Sequence, residues 1–187
     1  MTPSQQERET RALKRLIIAH ITFQQVIAGC DFLITHESDE YAQFYGTFLT
    51  GICVAYMRPY VSSARLGPLP REYSTFPADT PHARTHDSLR NGRNWVHAHY
   101  SPDEASVLLT DEKQREEQKK IRFIFQPDGI MFCPPEVTWP KSRLHAIVSL
   151  CEFQIQRIKV DVHSRIERLG DGKVYRYGEY IIGETFP

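Results

Sequence analysis

Apolar residues recur at intervals of three and four along much of this chain, the period of a helix with one buried face. In residues 4–34 the stripe is Leu13, Leu16, Ile17, Ile21, Val26, Ile27 and Leu33. Ser4 with Glu7 three positions on fits a capping box and marks the expected start. His20 lies beside the stripe and reads as a satisfied core histidine, and Gly29 marks a bend or a close helix contact. A second helix is expected from an N-cap at Ser38 until Pro59 ends it, with Tyr41, Phe44, Tyr45, Phe48, Leu49, Ile52 and Tyr56 at helical spacing. That aromatic stripe reads as core, with a base-stacking surface as the alternative. A third helix starts near Thr80 or Pro81, since Thr-Pro suits the N-cap and the first turn. It ends near Ala98, before Pro102. The fourth opens after Pro140 and carries Leu144, Val148, Cys151, Ile155, Ile158, Val162, Ile166 and Leu169, a seam for bundle packing or for a dimer. Gly170 is its natural cap.

Between these helices the pattern changes twice. Residues 62–80 carry Gly67, Pro68, Pro70 and Pro77 with few apolar anchors, which predicts a loop. A loop this long that leads into the third helix serves either as a lid or as a connector. Residues 105–135 lose the helical period. Val107, Leu108 and Leu109 open a short strand, and residues 111–120 are a charged, solvated turn. The β-prone runs 121–125 and 130–132 flank Pro127-Asp128-Gly129, a hairpin signature. The tail, 171–187, fits either a further strand or packing along the bundle. The expected fold is mainly α: one domain over residues 1–187, a four-helix bundle with a small antiparallel β-hairpin inserted between the third and fourth helices.

Composition narrows the function classes. The chain has 187 residues with 23 basic and 23 acidic side chains, a net charge of zero. That argues against a broad nucleic-acid-coating surface and leaves room for a local basic pocket. The cysteines, Cys30, Cys53, Cys133 and Cys151, form no Cys-x-x-Cys pair, which argues against a zinc knuckle or a thioredoxin-like site. With no signal-peptide core and no uninterrupted apolar stretch near spanning length, the expectation is a cytoplasmic protein with reduced thiols and no membrane partner.

One run concentrates chemistry: Leu89-Arg90-Asn91-Gly92-Arg93-Asn94-Trp95-Val96-His97-Ala98-His99. At about 100° per residue, His86, Arg90, Arg93, Asn94 and His97 share one broad stripe of the third helix, with Arg93 and His97 as i, i+4 neighbours. His99 sits about 120° from Arg93, so these two meet only if the helix ends near Ala98 or a second subunit completes the site. A guanidinium grips a phosphate through two hydrogen bonds, and an imidazole moves protons near neutral pH. Together they suit cleavage of a phosphodiester without a metal. The same face also serves as a solvated polar surface with a histidine near the helix C-terminus. His82 and His86, four apart, have the spacing of a metal pair, and with His97 they make a weaker metalloprotein reading.

His86-Asp87-Ser88-Leu89 followed by Arg93-Asn94-Trp95-Val96-His97-Ala98-His99 resembles the signature of HEPN-like proteins, an arginine and a polar residue followed by a histidine on a helix of a small bundle. The match covers residues 87–99 and is architectural elsewhere. The resemblance implies a helical bundle, homodimerisation and, in some members, a metal-independent ribonuclease with no cofactor. It implies Arg93, Asn94 and His99 as catalytic residues, with Arg90, His97 and His86 lining the substrate. RNA or a nucleotide is the implied ligand, and a toxin–antitoxin or defence system, with an antitoxin partner, the implied setting. Other members are non-catalytic modules that bind a nucleotide, RNA or protein. Arg90-Asn91 and His97 offer a second pair and a second histidine, so the choice between His97 and His99 stays open.

Overall fold

The structure, a computed structural model, describes residues 2–36, 44–62, 66–98, 122–126, 129–133 and 139–169. Four α-helices stand among them: α1 (Pro3–Thr35), α2 (Tyr45–Met57), α3 (Pro81–Ala98) and α4 (Lys141–Leu169).

The N-cap of helix α1 lies two residues before the expected one. Thr2 Oγ1 accepts from the Gln5 backbone N–H at 3.3 Å, and Gln5 Oε1 accepts from the Thr2 N–H at 2.8 Å. Thr2-Pro3 thus forms the capping box, with proline in the first turn where its missing N–H leaves no bond unmade. Leu16, Ala19, Phe23, Val26, Cys30 and Leu33 supply its inward face. The same helix contains a window of mean hydropathy 1.5, long and apolar enough by length and composition to cross a membrane, though interrupted by His20, Gln24, Gln25 and Asp31.

Helix α2 runs antiparallel to α1, since Gly29 lies against Ile52 while Phe23 packs on Tyr56. A Cβ at 29 would lie 3.4 Å from Ile52 Cγ1, in ordinary contact, which marks how closely the two helices approach there. Leu49, Ile52, Cys53, Tyr56 and Met57 are buried, but Phe44 and Phe48 are exposed, so only part of the aromatic stripe is core. A 3-10 turn, Arg58–Tyr60, carries Pro59 past the helix end. Helix α4 runs antiparallel to α1, with Arg165 bonded to Glu9 at one end. It is also antiparallel to α3, with His82 beside Ser149 and Ser88 beside Arg143. Contacts join α1 to α2, α2 to α3, α3 to α4 and α4 to α1. The arrangement is an up-down-up-down ring. The α4 stripe closes it from inside: Leu144, Ile147, Leu150, Cys151, Ile155 and Ile158 are buried within one chain.

The expected β insertion is corrected. Among the described residues the extensive packing in the bundle is helix on helix. Among the described residues strands β1 (Arg122–Gln126) and β2 (Gly129–Cys133) pair only with each other, antiparallel, from Arg122 opposite Cys133 to Gln126 opposite Gly129. Neither strand has an extensive contact with a helix. The inward stripes of the four helices close on one another in a single core. Among the described residues the architecture is therefore mainly helical, with no β layer.

From residue 66 onward, the loop expected over 62–80 is a pinned strap. Arg15 Nε donates to the Leu66 carbonyl at 2.8 Å, and the Leu69 N–H to the Pro59 carbonyl at 2.7 Å. Leu69 and Tyr73 are buried, the latter in a 3-10 turn, Arg71–Ser74. Several expectations lie outside the described residues: the Ser38 cap and Tyr41, the strand at 107–109, the charged turn at 111–120, Pro127 and Asp128, the Gly170 cap and the tail from 171.

Candidate functional site

Helix α3 starts where Thr80-Pro81 places it. Thr80 Oγ1 accepts from the Ala83 N–H at 3.2 Å, with Pro81 as the first helical residue. The turn before it sets Asp79 at φ 60°. His86, Leu89 and Gly92, three apart, form the row that faces the bundle and are all buried. Arg90 and Asn94 stand in solvent, and Arg93 is half-buried between the two rows. The expected stripe is therefore divided. Its first member belongs to the core, because α3 meets α2 and α4 through the 86–89–92 row.

His86, expected to line the substrate, lies in the core of the bundle. Only 4 % exposed, its Nδ1 lies 2.9 Å from Tyr56 Oη. The rings of Tyr60 and Phe76 stand 5.0 and 5.1 Å from its own. Burial pushes its pKa below the ordinary 6.5, Asp87 opposes that shift and Arg90 adds to it. Arg90 is paired with Asp87 at 3.0 Å, both largely exposed, so this pair contributes little to stability. Arg93 Nη1 donates to Asn94 Oδ1 at 3.3 Å, which brings the two implied catalytic neighbours into contact. His97 lies on α3 in its last turn; its side chain, like the whole of His99, lies outside the described residues.

His82 and His86 do not converge. His82 Nε2 lies 3.3 Å from Ser149 Oγ and its ring 4.7 Å from Phe153, both on α4, while His86 turns to Tyr56 on α2. Among the described residues no three His, Cys, Asp or Glu side chains gather as a metal site would need. Arg143 of α4 reaches back to α3, donating to Ser88 Oγ, with its guanidinium 4.3 Å above the Trp139 ring. An open groove of about 410 Å³ lies elsewhere, between the strap and the C-terminal half of α4. Its cations are engaged: Arg157 donates to the Glu72 carbonyl at 2.6 Å, and Arg165 pairs with Asp161 and Glu9.

A buried polar network went unread in the sequence. Gln154, fully buried on α4, donates to Tyr60 Oη at 2.7 Å and to the Tyr73 carbonyl at 2.6 Å, and accepts from Arg157 Nη1 at 3.1 Å. Tyr60 Oη lies 3.3 Å from Tyr56 Oη. The available signal was a glutamine in the middle of the α4 stripe, opposite tyrosines spaced i, i+4 at the end of α2.

Comparison with known proteins returns nothing: no family model, curated protein or solved structure matches this chain.

Proposed function

We propose that this protein acts on RNA through the second half of α3, as a metal-independent endoribonuclease of the HEPN-like kind. The observation that carries the reading is the placement of Arg93. Its guanidinium is half-buried beside Asn94, and among the described residues its partner is that neutral amide rather than a carboxylate. Arg90, by contrast, is already tied to Asp87. An arginine held by a neutral group keeps its charge for a phosphate and has the planar fork to grip two of its oxygens.

In this reading Arg93 stabilises the phosphorane, Asn94 orients Arg93, and His99 takes the proton from the ribose 2′-hydroxyl. Arg90 and His97 lie along the bound strand. A homodimer brings two such sets to one cleft.

The test is cleavage of a mixed RNA substrate with chelator present, in wild-type protein and three variants of confirmed fold. His99→Ala lowers the rate about 10²–10⁴-fold, as loss of a general base does, and His97→Ala lowers it far less. Arg93→Lys fails as well, because lysine keeps the charge and loses the fork. Activity that survives His99→Ala and is abolished by His97→Ala overturns the assignment of His99. RNA bound in an Arg93-dependent way, with no cleavage by wild type, replaces the enzyme by a binding module.

A further inference from the structure

His86, Tyr56, Tyr60, Gln154 and Arg157 form one continuous hydrogen-bond chain through the core, from α3 across α2 and its 3-10 turn to α4. The direction of every bond can be worked out. Gln154 must present its amide nitrogen to the Tyr73 carbonyl, which only accepts, and its oxygen to Arg157, which only donates. The amide orientation is thereby fixed at both ends, so Gln154 donates to Tyr60 Oη. Tyr60 then gives its own proton to Tyr56, and Tyr56 gives its proton to His86 Nδ1. The reverse order leaves the Tyr60 proton without an acceptor among the described residues. His86 Nδ1 is therefore an acceptor, and the ring proton sits on Nε2.

We propose that this chain is a proton-sensitive latch: it clamps the first half of α3 onto α2 and the strap while His86 is neutral, and protonation at Nδ1 releases it. An imidazolium at that position must donate to Tyr56, which turns both tyrosine hydroxyls around and strands the last proton. It also places a cation in a site that is 4 % exposed.

The titratable and charged groups facing His86 leave little to offset this. Tyr56 and Tyr60 are neutral, their pKa values raised above 10 chiefly by burial. Asp87 favours the cation and Arg90 disfavours it. On α4, among the described residues, Cys151, a buried thiol with its pKa raised, acts on the two tyrosines, and Arg157 sits at the far end of the chain beyond the neutral Gln154. The folded pKa lies below the unfolded 6.5, so the clamp is complete above pH 6.5 and is lost as pH falls through the folded value.

The experiment is a nitrogen NMR titration of the histidine rings in the whole protein, with amide exchange followed over the same pH range. Expected for His86 are a pyridine-type Nδ1, a pyrrole-type Nε2, and a midpoint below 6.5. Faster exchange through the first half of α3 should track that midpoint. Tyr56→Phe keeps the ring and removes the donor, so it should mix the tautomers and move the midpoint up. A proton on Nδ1 in neutral wild-type protein, a midpoint at or above 6.5, or α3 exchange indifferent to the titration each overturns the latch.

Discussion

Single residues carry the tightest constraints in this bundle. Gly29 is a case where two effects oppose each other. In the middle of a helix, glycine is less favourable than alanine by about 1 kcal/mol. Against that, an added Cβ sits 3.4 Å from Ile52 Cγ1, the near edge of ordinary contact, and Ile52 is buried. A methyl group fits there and larger groups do not. Gly29→Ala should therefore leave stability unchanged or raise it by up to about 1 kcal/mol. Gly29→Leu should lower it by about 1–3 kcal/mol through overpacking. Urea denaturation of both variants reads this directly. An alanine variant that loses more than the leucine variant would show that backbone approach, not side-chain volume, governs the site.

At the scale of elements, the strap decides how α3 is presented. Residues 66–76 are held by side chains from far away in sequence: Arg15 on Leu66, Gln154 on Tyr73, and Arg157 on Glu72. Arg157 also lies 4.9 Å over the Tyr73 ring. A segment pinned this way opens with the bundle and not as a lid. Limited proteolysis should leave it intact in wild type, and Arg157→Ala should make it the first site cut. Cleavage there in wild type at a rate unaffected by Arg157→Ala would restore the lid reading. This element also shows where sequence reading stops. The start of α3 was legible because Thr80-Pro81 capping is local chemistry. The start of α1 was misplaced because Thr2-Pro3-Ser4-Gln5 and Ser4-Gln5-Gln6-Glu7 satisfy the same pattern, and the capping hydrogen bonds choose the first. The strap's anchors could not be read, since carbonyls at 66, 72 and 73 find donors 51 to 85 positions away. His86 was placed on a polar stripe because the helical period says which residues share a face and not which face meets the bundle. The Arg93–Asn94 contact, by contrast, followed from adjacency alone.

For the whole molecule, three buried thiols report on whether the bundle behaves as one unit. Cys30 on α1, Cys53 on α2 and Cys151 on α4 are free and each no more than 1 % exposed. Burial pushes the thiols of Cys30 and Cys53 up to about 12, with Asp31 adding to the effect at Cys30. Cys151 is raised as well, again chiefly by burial. At pH 8 the thiolate fraction of such a group is about 10⁻⁴, and only the thiolate attacks an alkylating reagent. In the native state all three should therefore be inert, so alkylation waits for opening. Because each lies in the same packed core, the three should react at one common rate, set by global unfolding. Pulsed alkylation with mass spectrometry separates the peptides. The same shift fixes a pH dependence: the folded pKa values lie above the ordinary 9.0, so unfolded thiols ionise first. Stability should then be fully present below pH 9.0 and fall as pH rises past it, and the common rate should climb with it. If Cys151 reacts well before Cys30 and Cys53, α4 opens separately from α1 and α2. The ring of four helices would then be two cooperative units and not one.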